Sequence, residues 1–112
     1  MRVCMVCGVG CRYTITDQEA VSMSRWLLDR EGLFLGSSSA LNCCAALRVA
    51  KKLGPGKTIV LLLCDGGQRH VTKFWNDDYL RTIGLDTSIP ASADALWHQM
   101  TDPIVPTEET VS

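Results

Sequence analysis

Net charge is scarce in this sequence. Eleven Lys and Arg against twelve Asp and Glu leave −1 at pH 7. No basic block exceeds the pair Lys51-Lys52, which argues against nucleic acid or an anionic membrane surface as a partner. Long apolar runs are missing too, so no segment is expected to span a bilayer. The opening Met1-Arg2-Val3-Cys4-Met5-Val6-Cys7 lacks the sustained apolar stretch of a secretory signal. A reducing, intracellular setting is expected, cytoplasmic first and mitochondrial second, with the six cysteines mostly thiols. No internal repeat is present. At 112 residues the chain is one domain's worth of sequence.

What is present reads as alternating helix and strand. Thr16-Asp17-Gln18-Glu19 has the form of a capping box, predicting a helix to about Arg30 with Gly32 as its stop. Ala20, Met23 and Leu27 supply its apolar face. Leu33-Phe34-Leu35, flanked by Gly32 and Gly36, reads as a short buried strand. Gly36 opens a tight turn, and Ser37, Ser38 and Ser39 can cap the helix that follows. That helix is expected from Ser39 or Ala40 to Leu53, with small residues along it and Gly54-Pro55-Gly56 ending it.

Thr58-Ile59-Val60-Leu61-Leu62-Leu63 is a continuous run of strand formers, as in a parallel sheet buried on both faces. Strand, helix and strand then make one βαβ unit. Ser38 and Cys64-Asp65-Gly66-Gly67 fall at the same edge of it. Asn76 can cap a short helix through Ile83 that Gly84 stops, and another helix fits Ala93 to Met100. Residues 86–112 are a polar tail, expected to be disordered from Thr101.

Several features resemble a known family. Thr14-Ile15-Thr16-Asp17-Gln18-Glu19-Ala20-Val21 and Glu31-Gly32-Leu33-Phe34-Leu35-Gly36-Ser37-Ser38-Ser39-Ala40-Leu41-Asn42 are similar to the C-terminal part of pyridoxal-phosphate-dependent cysteine synthases. That group includes the O-acetylserine sulfhydrylases and the core of cystathionine β-synthases. Lys51 to Val60 and Leu63-Cys64-Asp65-Gly66-Gly67-Gln68-Arg69 resemble the next strand and loop. The likeness runs from about Tyr13 to Leu85, leaving 1–12 as an unmatched leader.

The resemblance implies an α/β fold, a partial three-layer fragment of a fold-type II pyridoxal-phosphate enzyme. It implies β-replacement, exchanging the acetate of O-acetylserine for sulfide, with a small amino acid as substrate. It also implies that Ser38 bonds the cofactor's pyridine nitrogen and that Asp65 lies near the ring. A neutral hydroxyl there leaves the ring a moderate electron sink. Helix capping remains the alternative for Ser38, and a capped glycine turn for Asp65. In the family, serines often stand where this chain has Asp65 and Gly66.

The family's Schiff-base lysine, carboxylate loop and phosphate cup have no counterpart among these residues. Lys51, Lys52, Lys57 and Lys73 lie in other contexts. A fragment inactive by itself is therefore expected. The alternatives are an interaction module docking on a full-length synthase, as a homo- or hetero-oligomer, or a small cysteine-based metal or thiol protein. Cys4, Cys7 and Cys11 lack the second ligand pair that a zinc site requires. His70 and His98 have no nucleophile motif beside them, and a surface or partly packed role is expected for both.

Overall fold

The computed structural model describes the backbone of residues 2–6, 11–101 and 109–110 and the side chains of 15–99. Strands β1 (Arg2–Val6) and β2 (Cys11–Ile15) pair antiparallel with Arg2 opposite Ile15, and β3 (Glu109–Thr110) joins the other edge of β2. Four helices follow β2: α1 (Asp17–Glu31), α2 (Ser37–Leu53), α3 (Asp77–Thr82) and α4 (Ala93–Thr101).

The helix signals act as expected. The Thr16 hydroxyl accepts from the Glu19 N–H at 3.1 Å, and the Glu19 carboxylate accepts from the Thr16 N–H at 2.9 Å. Gly32 closes α1 in the left-handed region at φ 70°, where a side chain would be strained. Gly54 closes α2. Asn76 caps α3 by accepting from the Tyr79 N–H at 3.1 Å, and Gly84 follows α3 at φ 86°.

The core lies between α1 and α2. Ala40, Cys44 and Ala45 of α2 are small enough to let it approach Ala20 and Met23 of α1, with Ile15, Val49 and Leu96 closing the cluster. Across this interface Arg48 donates to the buried Glu19 carboxylate. Gln99 of α4 donates to Ser22 of α1 at 2.8 Å.

The two expected strands do not form, and the βαβ unit with its parallel sheet is corrected. Leu35 makes one antiparallel bridge to Gly66, and residues 57–65 carry no regular structure. Val60 is 89% and Leu62 81% exposed. The physical reason is the lack of neighbours. A strand is held by ladders at its edges and packing on its faces. The 58–63 run meets no pairing strand among the described residues, and the Asn42 side chain donates to the Leu62 carbonyl at 3.0 Å instead. The described part is accordingly mostly helical. The expected disorder from Thr101 concerns residues that, for 102–108 and 111–112, lie outside the described ones. The thiols of Cys4, Cys7 and Cys11 lie outside them too.

Candidate functional site

The start of α2 is the centre of the site. Gly36 is the N-cap, with φ −75° and ψ 173° and no side-chain cap bond, so the serines lie within the first turn. The expectation that Ser37 and Ser39 act as caps is corrected. Ser39 is fully buried and turns to a different partner: its hydroxyl donates to the Asp65 carbonyl at 3.0 Å and accepts from the Asp65 N–H at 3.3 Å. The Gly36 N–H donates to the same carbonyl at 3.1 Å. The loop is thereby fastened across the mouth of the helix. A Cβ on Gly36 would collide with the Asp65 carboxylate and approach His70 to 2.9 Å, so glycine permits this close approach.

Asp65 is held on both sides. One carboxylate oxygen, Oδ2, lies 3.0 Å from His70 Nε2. The other, Oδ1, is buried without a hydrogen-bond partner. His70 closes a short 3-10 turn, Gly67–His70, which brings its ring back five residues along the chain. The partly packed role expected for His70 is met, but its pairing with Asp65 is not visible in the sequence. The signal available was Gly67, where the absence of a side chain permits close packing against Trp75 and Phe34.

Ser38 is exposed and lines a cleft of about 360 Å³. The cleft is shared with Ser37, His70, Lys73, Phe74 and Tyr79. Ser38 and Asp65 come to one end of α2, where Ser39 fastens the Asp65 backbone, but the sheet edge expected to carry them does not form. Behind the loop, Trp75 Nε1 donates to the Leu35 carbonyl at 2.7 Å, and its ring packs 4.8 Å from that of Phe34. Burial pushes the Cys43 thiol up to about 11, whereas Cys64 beside the loop is exposed. Among the described residues no group of three or more His, Cys, Asp or Glu could hold a metal ion.

Residues 7–65 match the family model described as pyridoxal-phosphate dependent enzyme. Over 82 residues the chain is 55% identical to Cysteine synthase 2 of Schizosaccharomyces pombe, covering 73% of this chain and 21% of that protein. It is 43% identical over 86 residues to Cysteine synthase 2 of Neurospora crassa, covering 77% and 18% respectively. A Saccharomyces cerevisiae relative named as a mitochondrial cysteine synthase is 46% identical over 75 residues, covering 67% and 19%. The chain spans about a fifth of the length of these relatives.

Proposed function

The chain belongs to the family of pyridoxal-phosphate dependent enzymes, and from that premise we propose that it forms the wall of a cysteine synthase that faces the cofactor's pyridine ring. It is cysteine synthase-like by descent, and pyridoxal phosphate is the cofactor of that family. The proposed reaction is β-replacement on O-acetylserine with sulfide. The observation that carries the proposal is the fastening of the Asp65 loop to the first turn of α2 through Ser39.

The residues present fit the ring end of the cofactor. Ser38 is exposed on a cleft of about 360 Å³, and Asp65, which does not line that cleft but pairs with its lining residue His70, has a buried oxygen without a hydrogen-bond partner among the described residues. Pyridoxal phosphate, when bound, supplies the electron sink for elimination and addition at a β-carbon. Ser38 would donate its hydroxyl to the ring nitrogen without a charge that fixes a proton there. Asp65, held by Ser39 and His70, would flank the ring. Lacking the family's lysine motif, these 112 residues would not turn over substrate by themselves.

In the whole enzyme, Leu33–Leu35 and Thr58–Leu63 would be strands of a three-layer α/β domain, within a unit from 13 to 85. The exposure of Val60 and Leu62 supports that placement. The same exposure favours a second reading, a non-catalytic module docking on a full-length synthase, which co-purification with such a synthase would reveal. The cytoplasm is the proposed compartment and the mitochondrion the second, supported by reduced thiols at Cys43 and Cys64. Among the described residues no helix is long and apolar enough to cross a membrane.

The test of the site uses a complete synthase whose matching segment is replaced by residues 13–85. Ser38→Ala removes one donor, and Ser38→Asp adds a carboxylate that favours a protonated ring. Turnover is expected to fall in both and further in the Asp variant, with cofactor still bound. Equal turnover in all three would reduce Ser38 to a residue of the helix's first turn.

A further inference from the structure

Arg25 is buried to 6% exposure in the middle of α1 and does not itself line the cleft. Its guanidinium is satisfied in several directions. One end donates to Ser24 Oγ at 3.0 Å. The other donates to the Phe74 carbonyl at 2.9 Å and to Asp77 Oδ1 at 2.7 Å. Its carbon lies 4.2 Å from the centre of the Trp75 ring. The planar fork of arginine can make these bonds and stack at once, whereas the point charge of lysine cannot.

Trp75 carries this constraint onward. Its indole N–H holds the Leu35 carbonyl at 2.7 Å, and its backbone N–H holds the His70 carbonyl at 2.9 Å. Trp75 and Phe34 close on Gly67 so tightly that a Cβ there would meet them at 2.5 and 2.6 Å. The Gly67 N–H donates to the Phe34 carbonyl at 3.0 Å, Leu35 bridges Gly66, and Asp65 follows against Gly36 and Ser39.

We infer that Arg25 is a positioning residue that, by clamping Trp75, sets where the Asp65 loop sits against the first turn of α2. Its functional meaning rests on the cofactor-facing role proposed for that loop, but the clamp itself exists without cofactor. The Arg25–Asp77 pair is half-exposed at Asp77 and so contributes little to stability, and a well-packed apolar side chain could fill the space of Arg25. What such a side chain would not reproduce is the fixed placement of Phe74, Trp75 and Asp77 around one rigid plane.

The experiment is amide hydrogen exchange, followed by NMR, on the full 112-residue chain without cofactor. The variants are Arg25→Met, which fills the space without the bonds, Trp75→Phe, which removes the indole donor but keeps a ring, and their combination. Each single change is expected to speed exchange at the Gly36 and Gly67 amides about tenfold, with Ala45 and Val49 in α2 staying within about twofold. The double variant should be no faster than the faster single one, because both cut the same connection. Unchanged exchange at Gly36 and Gly67 would overturn the inference. So would equal acceleration throughout α2, or multiplicative effects in the double variant. Loss of this coupling would leave the Ser38 test untouched, and equal turnover in that test would leave the clamp intact.

Discussion

Ser39→Ala separates the residue that builds the site from its exposed neighbour. The hydroxyl makes two bonds to the Asp65 backbone. Without it, the Asp65 carbonyl keeps the Gly36 N–H, so that half of the loss is small. The Asp65 N–H instead faces a methyl group in a partly buried place. A lost hydrogen bond costs about 1 kcal/mol and an orphaned buried group about 1–3 kcal/mol, so a net loss of about 1–2 kcal/mol is expected in this half-open setting. With a urea slope of about 1–2 kcal/mol per M, the unfolding midpoint should fall by about 1 M. Ser38→Ala, at an exposed position, should change stability by less than about 0.5 kcal/mol. Tryptophan fluorescence against urea, at low protein concentration, reads both variants. Equal losses, or a larger loss for Ser38→Ala, would refute the assignment of Ser39 as the tie between helix and loop.

At pH 8, iodoacetamide should label Cys64 much faster than Cys43. With its thiol pushed up to about 11, Cys43 is only about one part in a thousand thiolate and gains reactivity only as the pH climbs toward that value, so equal rates by peptide mass spectrometry would contradict its burial. The bare chain should self-associate through residues 58–63, an uncharged and largely exposed apolar run without ladder pairing among the described residues. Val60→Lys with Leu62→Lys should shift it toward monomer in sedimentation velocity while costing less than about 0.5 kcal/mol, and unchanged association would point to another surface. Incubation with pyridoxal phosphate and borohydride should leave scattered, partial labelling of lysines; one stoichiometric adduct would show that a reactive lysine is present after all.

Local signals were legible in the sequence because they act locally. The capping box at Thr16 and Glu19, the left-handed stop at Gly32 and the Asn76 cap each depend on a few adjacent residues. Strands are different, because Thr58 to Leu63 is apolar enough for a buried strand but becomes one only when neighbours pair with it. That Ser38 and Asp65 fall on one side was expected from chain order, but as the edge of a sheet that does not form. The tie through Ser39 was not expected, since three successive serines look alike until one of them is buried. The clamp of Arg25 on Trp75 spans 50 residues of chain and leaves no pattern at helical or strand spacing.

The most direct measurement is cysteine formation by a complete synthase rebuilt with this chain. Cysteine synthase 2 of Schizosaccharomyces pombe is a suitable host, given 55% identity over 82 residues. Its matching segment is exchanged for residues 13–85, and turnover of O-acetylserine with sulfide is compared with that of the parent and of the host lacking the segment. The rebuilt enzyme is expected to bind pyridoxal phosphate and to make cysteine within about tenfold of the parent's rate, a barrier difference of no more than about 1.4 kcal/mol. A folded, cofactor-loaded hybrid no more active than the truncated host would contradict the proposal that these residues form a working cofactor-facing wall.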